Sequence, residues 1–203
     1  MREETLIVFV KAPIAGRVKT RLAREVGTGR AAALFRHMLE RAYRGARGPW
    51  RTVLAVDPPS AIYDAIWPRD FDRMAQGKGD LGARMKDAFA AFAGPTLIIG
   101  ADAPGVRAHH MRDAFRALGR HDAVVGPAAD GGYWLIGLAG RKPAPGLFDG
   151  VRWSSEHALA DTLKTLPANF SVAFLETLRD IDEAKDLAAL GPLSSVRPQS
   201  QRD

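Results

Sequence analysis

The sequence predicts a single-domain α/β protein built on a mostly parallel sheet flanked by helices, and two observations carry that prediction. Short, continuous apolar runs rich in β-branched residues recur along the chain, and stretches with apolar residues at i, i+3 and i+4 stand between them. Strand followed by helix, repeated, is the pattern of a largely parallel sheet. The chain has 203 residues, 46% of them hydrophobic. A chain of that size buries roughly 70% of the surface its unfolded form exposes, so the core needs neither disulfides nor metal staples.

The predicted strands are Leu6–Val10, Thr52–Val56, Thr96–Ile99, Ala123–Val125, Tyr133–Leu138 and Val172–Leu175. Most are short and uninterrupted, as strands buried on both faces are. The predicted helices are Arg30–Arg44, Leu81–Phe92, Met111–Leu118, Glu156–Leu166 and Glu183–Leu190; in the first, Leu34, Met38, Leu39 and Ala42 share one face. No linker or repeat divides the chain. The predicted domain is therefore 1–190, and the polar run 191–203 has too little to bury and reads as a flexible tail.

Cysteine is absent, which excludes disulfides, a thiolate nucleophile and a cysteine zinc site, and suits a reducing cytoplasm. Lys and Arg total 29 against 23 Asp and Glu, a formal charge of +6 with a pI near 10.0, so anionic partners are favoured. The apolar runs fall far short of the ~20 residues of a membrane span. Met1-Arg2-Glu3-Glu4 is too acidic to open a signal peptide. A cytoplasmic protein is expected. His109, His110 and His157 lack metal-ligand spacing to one another and are given no catalytic role.

In an open sheet of this class, ligands bind outside the carboxyl ends of the strands. After the first strand come Lys11, Arg17, Lys19 and Arg21, with Pro13 and Gly16 between them. Four cations in eleven positions suit a di- or triphosphate, and Gly16 lets backbone N–H groups approach an anion. A P-loop is excluded because Val18, not glycine, precedes Lys19-Thr20, and no G-x-G-x-x-G fingerprint is present.

Gly100-Ala101-Asp102-Ala103-Pro104 follows the strand Thr96–Ile99, which puts the Asp102 carboxylate at the edge where the basic loop opens. Mg²⁺ or Mn²⁺ joins carboxylates to phosphate oxygens in this way. A second ligand is sought among Asp130, Asp180 and Asp182, although Asp182 equally serves as N-cap of the last predicted helix. In Asp130-Gly131-Gly132 the paired glycines allow close backbone approach to a ligand, and a hairpin turn uses the same residues. Asp80, in Gly77-Lys78-Gly79-Asp80-Leu81-Gly82, fits a helix cap as well as a ligand contact. Trp153-Ser154-Ser155 is expected to open a helix with Ser154 as its N-cap.

These motifs together resemble the bacterial DUF2064 family: Phe9-Val10-Lys11-Ala12-Pro13, Gly16 to Leu22, Gly77 to Met85, Gly100 to Pro104, Gly126 to Gly137, and Trp153-Ser154-Ser155, spread over about Leu6 to Leu190. The first loop also resembles that of 2-phospho-lactate guanylyltransferase. The resemblance implies a nucleotide-diphospho-sugar transferase (glycosyltransferase A-like) fold. It implies nucleobase or ribose contacts at Gln76, Gly77, Asp80 and Leu81, a phosphate contact at Arg84, and an acceptor side lined by Asp130, Gly131, Gly132 and Trp153.

The activity expected is metal-dependent glycosyl transfer from a nucleotide-sugar to a small-molecule acceptor. Lys11, Gly16, Arg17, Lys19 and Arg21 would hold the phosphates, Lys19, Asp102 and Asp130 would be catalytic, and Asp102 and Asp182 would hold Mg²⁺ or Mn²⁺. The alternatives are nucleotidyl transfer to a small phosphorylated acceptor and a non-catalytic nucleotide- or nucleic-acid-binding module. Against nucleic acid, the cations gather on one loop without interleaved aromatics.

Overall fold

The computed structural model describes residues 3–101 and 105–178, apart from the side chains of Arg21, Leu22 and Glu25. Asp102, Asp180, Asp182, the predicted helix Glu183–Leu190 and the predicted tail lie outside the described residues. Seven strands form one sheet in the order β3-β2-β1-β4-β6-β5-β7. They are β1 (Thr5–Lys11), β2 (Arg51–Asp57), β3 (Asp72–Ala75), β4 (Thr96–Gly100), β5 (Ala123–Pro127), β6 (Tyr133–Leu138) and β7 (Val172–Phe174). All neighbouring pairs are parallel except β4–β6 and β5–β6.

The helices are α1 (Thr20–Val26), α2 (Thr28–Ala46), α3 (Leu81–Ala90), α4 (Ala108–Leu118) and α5 (Ala158–Thr165). Alternation along the strands feeds two cores. Leu6, Val8 and Val10 of β1 pack with Leu54, Leu97 and Ile99 beneath Phe35 and Leu39 of α2 and Met111 and Phe115 of α4. Ile7, Ala55, Ile98 and Ile136 face the other way, onto Met85 and Ala88 of α3 and onto Leu147, Phe148 and Leu166. The result is three layers, helices on both faces of the sheet, the arrangement that the continuous apolar strands required.

Two elements were not expected. Strand β3 is half-buried at the sheet's edge, and Asp72-Arg73-Met74-Ala75 has neither the β-branching nor the apolar continuity that marks the central strands. Helix α1 is short and basic and has no acidic residue in its first turn. The last helix of the 156–166 segment starts at Ala158 rather than at Ser154. Ser154 takes a left-handed conformation with φ +58°, incompatible with the extended backbone of an N-cap, and the chain turns there before the helix begins.

Leu135 of β6 is fully buried between neighbouring strands. Leu135→Ala is expected to lower the unfolding free energy by about 2–5 kcal/mol, measured as the shift in the urea midpoint at constant slope.

Candidate nucleotide site at the carboxyl edge of the sheet

From β1 the chain builds outward through β2 to β3, then returns to β4 on the other side of β1. The loops leaving β1 and β4 therefore part at a topological switch point, the place where open α/β sheets bind ligands. The Ala101 N–H donates to the Phe9 carbonyl at 3.1 Å and the Ala12 N–H to the Asp57 carbonyl at 2.8 Å, so the exits of β4, β1 and β2 are held side by side. Asp102 is the next residue after Ala101.

The basic loop is folded tightly. The Arg17 N–H donates to the Ile14 carbonyl at 3.0 Å, closing a turn in which Gly16 has φ +81°, a conformation glycine adopts without cost. Val18 is buried and anchors the loop to the core. Lys19 has φ 44° and ψ 50° and starts α1, its carbonyl accepting from the Ala23 N–H. Lys11 and Arg17 are exposed and pair with no carboxylate among the described residues. Beside Lys11 in register stands Asp57 of β2, whose half-buried carboxylate has no hydrogen-bond partner among the described residues. Asp57 was not singled out by motif; an acid ending a buried strand, just before Pro58-Pro59, is the signal that marks it.

Gln76 is buried, and its amide nitrogen donates to the carbonyls of Val10 and Ala55, both at 3.0 Å. Its oxygen accepts from Arg84 Nη1 at 3.4 Å, while Arg84 Nε donates to the Gly79 carbonyl at 3.0 Å. Gln76 and Arg84 thus brace the 76–80 loop against β1 and β2; both amide donors of Gln76 are used there, while Arg84 bonds through Nε and Nη1 only and keeps further N–H donors. Asp80 caps α3, accepting from the Ala83 N–H at 2.8 Å. Gly77, with φ +84°, and exposed Leu81 are left at the loop's surface.

On the other side, residues 128–132 join β5 to β6 as a hairpin, so Asp130 sits on the same edge. Asp130 Oδ1 accepts from the Gly132 N–H at 2.9 Å, which orients the carboxylate and leaves its second oxygen without a hydrogen-bond partner among the described residues. Gly131 has φ +88°, and a Cβ there would collide with the Glu156 backbone; the Leu159 N–H also donates to the Gly131 carbonyl at 3.0 Å. The hairpin therefore rests directly on the segment that carries Trp153. The Trp153 ring packs against Phe148, close to Gly82 of α3, and its buried Nε1 has no partner among the described residues.

One cluster escaped the sequence. The imidazoles of His109 and His110 and the Glu176 carboxylate place ligand-type atoms within 4.8 Å of one another, although 66 positions separate His110 from Glu176. His110 Nδ1 accepts from the Arg107 N–H at 2.9 Å, and His110 Nε2 lies 2.5 Å from Glu176 Oε1. With Nδ1 accepting, the neutral ring carries its proton on Nε2 and donates it to Glu176. A ring so bonded offers no lone pair to a metal, and Mg²⁺ and Mn²⁺ favour oxygen ligands. The cluster ties the exit of β7 to the start of α4, helped by Trp134 Nε1, which donates to the Glu176 carbonyl at 3.1 Å.

The DUF2064 family, whose description reads "uncharacterized protein conserved in bacteria", matches residues 39–155, more than half of the chain. The chain belongs to this family. A provisionally assigned nucleotide-diphospho-sugar transferase from Desulfovibrio desulfuricans G20 is 30% identical, with a TM-score of 0.80 over 98% of this chain and 91% of that one. The DUF2064 chain therefore has the nucleotide-diphospho-sugar transferase fold.

Two distant structures share that fold. The 4-diphosphocytidyl-2C-methyl-D-erythritol synthase of Anaerococcus prevotii DSM 20548 is 9% identical, with a TM-score of 0.58 over 93% of this chain and 96% of that one. The manganese complex of Rv0371c from Mycobacterium tuberculosis H37Rv is 16% identical, with a TM-score of 0.54 over 93% and 97%. No curated protein matches the DUF2064 chain. Among its described residues no helix is long and apolar enough to cross a membrane.

Two measurements check this geometry. Gln76→Ala removes the donor shared by the Val10 and Ala55 carbonyls and is expected to cost about 1–3 kcal/mol, read from denaturant unfolding, with Gln76→Glu at least as damaging because a carboxylate cannot donate. Burial holds the His110 imidazole below its ordinary value of 6.5, outweighing the pull of Glu176. As pH falls below 6.5 the unfolded chain takes up a proton that folded His110 resists, so stability present above that pH declines toward the lower folded value. His110→Gln is expected to flatten this part of the stability–pH curve, measured by urea unfolding across pH 5–7 (an interval chosen around the reference value).

Proposed function

We propose that this DUF2064 protein, a transferase, draws a sugar from a nucleotide-sugar at the β1/β4 switch point and hands it to a small hydroxyl-bearing acceptor beside the 128–132 hairpin. The observation that carries the reading is the junction at Phe9 and Ala101, where the basic loop leaves β1 beside the exit of β4, one residue before Asp102 in sequence. The fold shared with the Desulfovibrio protein at 30% identity supports the donor class.

Lys11, Arg17, Lys19 and Arg21 grip the diphosphate, with the turn at Gly16 bringing backbone N–H groups within reach. Asp57 is poised for the ribose hydroxyls or the base, while Gln76 and Arg84 act by holding the 76–80 loop in place beneath the nucleoside. The free oxygen of Asp130 accepts a hydrogen bond from the acceptor hydroxyl, and Trp153, Gly131 and Gly132 shape that side. In the transfer the acceptor oxygen bonds to the anomeric carbon, its proton passes to a carboxylate, and the bond to the diphosphate oxygen breaks with its electron pair leaving on the nucleoside diphosphate. Positioning and charge neutralisation supply most of the rate.

The carboxylates on this edge are oxygen donors, the chemistry Mg²⁺ or Mn²⁺ requires. Asp102, with Asp182 or Asp130, would hold the ion, and when bound it would neutralise charge on the departing diphosphate.

A thermal-shift panel of nucleotides and nucleotide-sugars, with and without Mn²⁺, tests the reading. At least one nucleotide-sugar is expected to raise the melting temperature, with the gain lost in Lys19→Ala and its Mn²⁺-dependent part lost in Asp102→Asn. No response to any nucleotide-sugar would sink the proposal. A response to nucleoside triphosphates alone would replace it with nucleotidyl transfer.

A further inference from the structure

The positive charge of the chain is gathered in one segment. Residues 11–46 contain nine Lys and Arg against two acids, Glu25 and Glu40, a net charge of +7, whereas the whole chain carries +6. The other 167 residues together carry −1. Charge segregated in this way favours an extended anionic partner.

Helix α2 sets out part of this charge in a line. Its inward face, with Phe35, Leu39, Ala42 and Tyr43, is buried in the core, and Arg30, Arg36 and Arg44 are exposed on its outer side. At about 3.6 residues per turn, Arg30, His37, Arg41 and Arg44 fall within an arc of about 60°, and Arg30 and Arg44 stand about 21 Å apart along the axis. Glu40 is the one acid of the helix. Arg24 of α1 is exposed as well and extends the charge toward the basic loop.

A line of cations this long exceeds the reach of one phosphate group, so its partner is a surface or a polymer. Helix α2 contains no Asn or Gln to read a base edge, and its aromatic residues, Phe35 and Tyr43, are buried and cannot stack a base. Its apolar face is occupied by the core, which leaves nothing to fill a groove on a protein partner. A bilayer of anionic lipid asks only for cations held at one level, and a cluster of roughly four to eight is the size that holds a protein to such headgroups.

We propose that the α1–α2 face is a peripheral docking surface for an anionic lipid bilayer, held by charge. The contact stays at the level of the headgroups, because the apolar side chains of α2 face the core. It needs no nucleotide and does not rest on the proposed transferase reaction.

The test is sedimentation of the full chain with vesicles of equal parts phosphatidylcholine and phosphatidylglycerol, in the absence of nucleotide. Binding is expected at about 0.1 M salt and its loss near 1 M, where the screening length falls to about 3 Å; vesicles of phosphatidylcholine alone should not bind. Each surface cation contributes about fivefold to partitioning, so Arg30→Gln/Arg44→Gln is expected to weaken binding about tenfold or more. Both side chains are exposed, and an unchanged far-UV spectrum and melting temperature verify the fold. Lys86→Gln/Lys164→Gln removes the same charge from α3 and α5, on the other side of the sheet, and is expected to bind as the wild type does.

Absence of sedimentation with the phosphatidylglycerol vesicles overturns the inference. So does an equal loss in the two double variants, which would make the effect one of net charge and not of this face. Retention by double-stranded DNA or RNA without vesicle binding would give the face to nucleic acid and overturn it too. A protein that binds the vesicles yet shows no thermal shift with any nucleotide-sugar keeps the docking surface and loses the transferase reading, so the two failures are separately visible.

Discussion

The hydrogen bond from the Ala101 amide to the Phe9 carbonyl joins the exit of β4 to the end of β1, and the working surface of the molecule follows from that junction. β1 is paired on both edges and lined on both faces by the two cores. None of its central side chains is available for chemistry, so function must be carried where the chain leaves the sheet. Because the strands on either side of this point are built in opposite directions along the sheet, their exits open a crevice instead of being covered by a crossover helix. The start of the cationic loop and the exit of β4 at Ala101 are neighbours for this reason, although more than eighty residues separate β1 from β4 in sequence.

At that edge the side chains divide by how their polar groups are used. Gln76, Arg84, Asp80 and His110 each satisfy a backbone group or one another. Removing any of them exposes a buried or terminal polar group, whose cost falls on the fold. Lys11, Arg17, Asp57 and the second oxygen of Asp130 have capacity left over. The first set gives the second its rigidity. In a transferase whose catalysis is chiefly positioning, bracing residues of this kind affect rate without touching substrate.

The central fold was readable because its signal is local. Leu6–Val10 and Thr96–Ile99 are buried on both faces, and burial of that kind leaves an unbroken apolar run. Strand β3 was not readable, since an edge strand half in solvent tolerates Asp72 and Arg73. The Ser154 cap was misread for a related reason: serine before a helical pattern is a good cap, but the close rest of Gly131 on Glu156 fixes the local backbone in a left-handed form that no sequence window reveals. The His110–Glu176 contact joins segments distant in sequence, so it has no motif. The basic loop was legible as a group of charges, whereas the scaffold role of Gln76 depends on carbonyls of two other strands.

The position of Asp130 shows how chain length alone can place a carboxylate. Only residues 128–132 separate β5 from β6. A parallel connection needs a dozen residues or more, so β6 must run back antiparallel and the connecting turn must lie at the carboxyl end of β5. With β5 parallel to β7, and β6 seated between β5 and β4, that turn falls on the edge carrying the exits of β1 and β4. A carboxylate in a five-residue hairpin is thereby brought to the carboxyl edge of the sheet without any long-range contact of its own. What the tertiary structure adds is the contact of Gly131 with the 155–159 segment, which holds the hairpin against the wall bearing Trp153 and turns a flexible turn into a fixed rim of the site.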